Sequence, residues 1–180
     1  MEVALLRRGR GWHGCEAMAE YRHRFTSGIY RFLEFPPSML ASCGVAVGLK
    51  CGHGCLYCST TAGFRIASRR RPSDEYCVID PDTPLRVARD IDEVRPDDVV
   101  MLSHSTDAWS PEAQRYRIGP ATLAVLLEKG RGTVHVLTKN AAVADSFELM
   151  ARYPKRVRLS LSVTAPAGRQ GLISVLSGPM

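Results

Sequence analysis

The chain has 180 residues, 45% hydrophobic and 23% charged, the size and balance of one globular domain with a core of its own. No apolar run reaches the roughly 18 residues that a membrane helix requires, and the N-terminus Met1-Glu2-Val3-Ala4-Leu5-Leu6-Arg7-Arg8 reverses the charge order of a secretory signal. A cytoplasmic protein without a membrane partner is the expectation, which makes a disulfide scaffold a poor account of the 6 cysteines and leaves a net charge of +6 to explain.

Residues 1–40 read as a basic N-terminal extension. Arg7-Arg8-Gly9-Arg10-Gly11 is a flexible cationic segment that Trp12 interrupts. From Glu16 to Phe35 the apolar residues Met18, Tyr21, Phe25, Ile29, Phe32 and Leu33 recur at helical or mixed spacing, until Pro36-Pro37 stops them. Residues 1–72 hold 11 Lys/Arg against 4 Asp/Glu, and the remainder 13 against 14. That concentration, with Arg69-Arg70-Arg71 at its end, suits contact with a phosphate backbone, and it equally describes a solvated arm and loop. His13 and His23 have no partner at metal-ligand spacing and read as ordinary histidines.

A core is expected over residues 41–166, opening with a first strand at 43–50. The loop after that strand is Cys51-Gly52-His53-Gly54-Cys55-Leu56-Tyr57-Cys58, three cysteines at i, i+4 and i+7 interleaved with glycines. The spacing folds three thiolates inward, and the glycines supply tight turns. Three thiolates suit a soft metal, either zinc or an iron–sulfur cluster. A four-iron cluster ordinarily takes four cysteines, so three leave one iron open to bind something else. Zinc completed by Cys43, Cys77 or a histidine uses the same residues. Otherwise Cys15, Cys43 and Cys77 read as plain buried thiols.

Residues 78–84 are turn-rich, and 84–91 read as a short helix with Thr83 as its N-cap. Residues 98–103 form a short apolar strand, the second of a parallel set, which opens into His104-Ser105-Thr106-Asp107-Ala108-Trp109-Ser110-Pro111-Glu112. Polar residues at the C-terminal end of a barrel strand are where such folds place chemistry, so Ser103, Asp107 and Glu112 are candidates to face a ligand. The alternative is that Asp107 or Ser110 simply starts the helix that Pro111 opens. A helix over 119–130 ending near Lys129, a third strand over 133–140, a helix over 142–151 and a fourth strand over 156–164 complete the pattern. Strict alternation puts Ser160, Ser162 and Thr164 on one face of the fourth strand, where small hydroxyls also suit a tapered barrel interior. His135 reads as structural, and Lys139 as a strand-end cap or a ligand-side cation. Strands alternating with helices predict an α/β fold with a parallel sheet and helices outside. No internal repeat or low-complexity tract is present.

Cys51-x3-Cys55-x2-Cys58, with Tyr57 before the last cysteine, resembles the signature of the radical SAM enzymes. Thr106-Asp107 followed by Ser110-Pro111-Glu112 is similar to the second-strand loop of their spore photoproduct lyase-like branch. The resemblance covers residues 40–166. It implies a partial (β/α) radical SAM barrel with parallel strands and outer helices, and a [4Fe–4S] cluster on Cys51, Cys55 and Cys58. S-adenosylmethionine would chelate the open iron and be cleaved by one electron to methionine and a 5′-deoxyadenosyl radical, which abstracts hydrogen from a substrate. It further implies Tyr57 against the adenine, Ser103 and Asp107 on the cofactor side, and Lys139 beside the methionine carboxylate. Ser160 and Ser162 would meet the ribose or methionine part. A flavodoxin- or ferredoxin-like donor would supply the electron, and damaged nucleic acid would be the substrate class.

Residues 167–180 depart from that pattern. Their glycines and small residues look unlike a barrel continuation, so a truncated or frame-shifted member is expected, with its fourth strand left open, most cofactor contacts kept and the substrate wall missing. A second reading is a non-catalytic fragment with zinc on Cys51, Cys55, Cys58 and a fourth thiol, stabilising a nucleic-acid-binding domain. A third is a degraded gene product with no stable fold.

Overall fold

The computed structural model describes residues 19–22, 25–32, 41–53, 76–163 and 174–178. The strands among them are β1 (Ala19–Arg22), β2 (Tyr30–Arg31), β3 (Cys43–Val45), β4 (Gly48–Lys50), β5 (Tyr76–Ile79), β6 (Val99–Leu102), β7 (Thr133–Thr138), β8 (Val157–Val163) and β9 (Ser174–Gly178). The α-helices are α1 (Thr83–Asp90), α2 (Pro111–Arg115), α3 (Ile118–Glu128) and α4 (Phe147–Ala151). None of the described helices is long and apolar enough to cross a membrane.

The larger sheet has the order β2-β3-β6-β7-β8-β9, and the smaller has β1-β5-β4. In the larger sheet β3, β6, β7 and β8 run parallel, while β2 and β9 close the two sides in antiparallel pairing. The expected α/β architecture with a parallel core is therefore present. Val45, Leu102 and Val136 stand in register on one face, as do Val100 and Val134. All five are buried in one cluster with Val87 of α1, Leu123, Leu126 and Leu127 of α3, and Met150 of α4. Each such side chain contributes about 1.5–3 kcal/mol on burial, so this face holds the helices to the sheet. The alternate row, Gly44, Met101, His135 and Arg158, lies on the other face.

Several expected elements differ. The strand expected over 43–50 breaks at Ala46-Val47, and its second half passes to the smaller sheet as β4. Gly48 permits that crossing, because a Cβ there would stand 2.3 Å from the Val78 carbonyl oxygen. Tyr76–Ile79 is a strand where only turns were expected, since β4 and β1 both pair with it. Among the described residues of the N-terminal extension, the helical or mixed spacing gives way to β1 and β2, which pair with β5 and β3; Met18 and Leu33 of that pattern lie outside the described residues. The N-cap of α1 is Asp82, not Thr83, whose hydroxyl instead donates to the Asp80 carbonyl at 2.7 Å. The helix expected over 142–151 begins as a 3₁₀ segment, Ala141–Ser146, started by the Asn140 side chain accepting from the Ala142 amide at 3.0 Å. The fourth strand is not open, because β9 pairs along it from Leu159 to Val163.

Candidate functional site

The C-terminal ends of β6 and β7 and the chain leaving β4 meet at one edge of the parallel sheet, the edge where open α/β folds bind ligands. β6 ends at Leu102, and Ser103 takes a φ of 74°. That left-handed conformation is uncommon for a non-glycine residue, and the Ser103 hydroxyl stabilises it by accepting from the Ala108 amide at 2.9 Å. Three residues on, Thr106 donates its hydroxyl to the Gly48 carbonyl at 2.8 Å, tying the loop after β6 to the start of β4.

Asp107 is the junction. Its Oδ1 accepts from the Trp109 amide at 2.9 Å and the Thr138 hydroxyl at 2.7 Å. Its Oδ2 accepts from the Lys139 amide at 3.0 Å and from His53 Nε2 at 3.1 Å. Burial pushes this carboxyl upward, but the donors of His53, Lys139, Thr138 and Trp109 outweigh it and hold Asp107 below the ordinary range. Ser110 caps α2 by accepting from the Ala113 amide at 3.4 Å, with Pro111 in the first turn. Helix initiation at Ser110 is thus borne out. Glu112, buried in that first turn, accepts the Gly52 amide hydrogen.

Cys51 follows β4 directly and is half-buried. Burial pushes its thiol upward, amide hydrogen bonds from Asp107 and His53 pull it down, and the charges of Glu112 and Asp107 raise it again. The net direction is up, so a bound cation would be needed to favour the thiolate. Cys55, Tyr57 and Cys58 lie outside the described residues. Among those described, no three His, Cys, Asp or Glu side chains form a metal-binding group. Cys51 is therefore the described member of the proposed ligand set, and its place at the strand ends is compatible with a soft-metal ligand.

Cys51, Ser103, Asp107 and Lys139 are brought to this one edge. Ser160 stands further back along β8, buried and hydrogen-bonded to His135 Nε2 at 2.7 Å, and Ser162 lies two residues on, half-buried. His135 is held below the usual histidine range by burial and then by the charge of Arg158. Its pairing with Ser160 fits the structural role expected for it.

Three participants come together only in the fold. His53 lies inside the cysteine motif, 54 residues from the carboxylate it meets, and Thr138 is an ordinary strand residue until Asp107 meets it. The third is an aromatic group beside the same edge. The Tyr30 hydroxyl lies 2.8 and 2.6 Å from the two ring nitrogens of His104, with Phe32 edge-on to both rings at 5.7 and 5.8 Å. Burial holds His104 low, partly offset by the Val45 carbonyl. Tyr30 and His104 are 74 residues apart, so no local pattern could have paired them.

Compared with known proteins, the chain matches no family model, no curated protein and no solved structure.

Proposed function

We propose that this protein is a radical SAM enzyme of the spore photoproduct lyase-like kind, built as a partial (β/α) barrel and carrying a [4Fe–4S] cluster on Cys51, Cys55 and Cys58. The observation that carries the reading is a coincidence of motif and place. The three-cysteine motif begins where the chain leaves β4, and Gly52 and His53 are bonded there to Glu112 and Asp107, beside the C-terminal ends of the parallel strands β6 and β7, where α/β folds put their chemistry. When bound, the cluster and S-adenosylmethionine would supply one-electron cleavage of the sulfonium and thereby hydrogen abstraction. The chain's own share is binding, orientation and exclusion of water.

In this reading Lys139 sets a cation beside the methionine carboxylate, at the end of β7. The hydroxyls of Ser103 and Ser162 offer hydrogen bonds to the ribose and methionine part, Ser160 stands behind them on His135, and Tyr57 packs on the adenine. Asp107 contributes through the loops that it holds together. The electron comes from a flavodoxin- or ferredoxin-like protein of the cytoplasm, and the substrate class is nucleic acid, in keeping with the arginine-rich first 72 residues.

The test is anaerobic reconstitution, then dithionite and S-adenosylmethionine, with assay for 5′-deoxyadenosine. A chain with Cys51, Cys55 and Cys58 all changed to alanine is the control. About four irons with matching sulfide, and 5′-deoxyadenosine from the wild type alone, are expected. Failure to assemble a cluster, or one zinc per chain in its place, would overturn the proposal.

A further inference from the structure

We propose that Glu112 and Asp107 are positioning residues for the cysteine loop, a pair of carboxylates that clamps the two residues following Cys51. This rests on the cluster assignment above for its consequence, though not for its geometry. The amide of Gly52 donates to Glu112 Oε1, and the ring of His53 donates through Nε2 to Asp107 Oδ2 at 3.1 Å. A carboxylate only accepts, which fixes the direction of both bonds. Two successive residues of the motif are thus held from one short stretch, the loop after β6 and the first turn of α2.

Burial and charge both argue that this arrangement serves geometry. Asp107 is 7% exposed and Glu112 5%, and a buried carboxylate is costly unless hydrogen bonds compensate it. Asp107 meets that cost with three further donors, Trp109, Thr138 and Lys139. Through them it is fixed to the end of β7 as well as to its own loop. In electrostatic terms the two carboxylates work against a neighbouring thiolate, and a residue chosen to favour thiolate charge would be Lys or Arg. What the carboxylates provide is direction. They hold Gly52 and His53, so that Cys51 leaves β4 along one path before any metal arrives. Such organisation ahead of binding avoids the entropy of ordering the loop at the moment of binding.

The experiment begins on the chain without metal. In ¹⁵N-labelled protein the Gly52 amide should exchange slowly with solvent. Glu112→Ala should accelerate it about tenfold, the scale of one charge-assisted hydrogen bond. Glu112→Gln, whose amide oxygen still accepts, should keep most of the protection. Asp107→Asn leaves one accepting oxygen where two backbone amides need one each, so either the Lys139 or the Trp109 amide should exchange about tenfold faster. Amides of β7 report whether each variant is folded. The same chains are then reconstituted, and iron release to a chelator is followed. Glu112→Ala should release iron several-fold faster than wild type, and Glu112→Gln close to the wild-type rate.

Open-chain exchange of Gly52 in the wild type, or equal protection in wild type and Glu112→Ala, would overturn the clamp. Should Glu112→Ala lose its β7 protection as well, the wild-type and Glu112→Gln exchange rates decide the matter. A wild type that takes up no iron would overturn the radical SAM reading, while Gly52 exchange would still judge the clamp by itself.

Discussion

Ser103 and Arg117 are the described non-glycine residues with positive φ, at 74° and 52°, and their surroundings give the two conformations different weight. At Ser103 the hydroxyl accepts the Ala108 amide, so the side chain offsets part of what the backbone costs. Arg117 is exposed, forms the N-cap of α3 in the left-handed region, and makes no side-chain cap hydrogen bond. Left-handed geometry costs an L-residue about 1–2 kcal/mol, and glycine returns about 0.5–1 of that as chain entropy. Arg117→Gly should therefore stabilise the protein by about 0.5–1 kcal/mol, read as a higher urea midpoint at unchanged slope. A lower midpoint would mean that the guanidinium contributes more than its backbone costs. At this scale the polar loop after β6 that holds Asp107 was legible, because its residues are neighbours in sequence. The four donors on Asp107 were not, since three come from His53, Thr138 and Lys139, which only the assembled strands bring within reach.

The N-terminal strand β2 is two residues long and shows at the scale of elements why the extension defeated its sequence pattern. Its place depends on partners rather than periodicity. Tyr30 and Arg31 pair with Gly44 and Cys43, and Arg31 donates to both oxygens of Asp98 at 3.0 and 2.8 Å across 67 residues. Ser42 and the Arg95 amide complete the Asp98 environment at 2.9 and 2.8 Å. The Arg31 hydrogen bond, opposed by burial and aided by the Arg95 amide and Ser42, lowers Asp98 to about 2. Asp90 is lowered likewise, by Arg89 first and, against burial, by the Gly28 amide and Ser27. A carboxylate depressed in the folded state stabilises it above the unfolded pKa and loses that contribution as pH falls through the folded value. Stability should thus decline between about pH 4 and pH 2. Asp98 should account for about 1 kcal/mol of the decline, after the screening that a 41% exposed Arg31 side chain allows. Urea midpoints measured across that range should fall less steeply in Asp98→Asn, which should also be weaker than wild type at pH 7. An Asp98→Asn profile parallel to wild type would place the acid sensitivity elsewhere.

For the molecule as a whole, the alternation of apolar runs made the parallel order β3-β6-β7-β8 legible, because each strand carries its own buried row and α3 buries Ile118, Leu123, Leu126 and Leu127 against them. Closure of the sheet was not legible. Residues 174–178 are rich in small side chains, and their pairing depends on an edge that belongs to another part of the chain. That pairing runs antiparallel from Leu159↔Gly178 to Val163↔Ser174, along the strand that carries Ser160 and Ser162. An uncovered edge strand presents a row of unpaired backbone groups to any second copy. A chain ending at residue 164 should therefore expose β8, self-associate with rising concentration in sedimentation velocity, and lose amide protection along β8 when dilute. The amides of β6, two strands away from β8 in the sheet, should keep theirs. If the shortened chain sediments as the full one does and keeps its β8 protection, then β9 adds little to the sheet, and the parallel strands with their helices are sufficient to hold the edge.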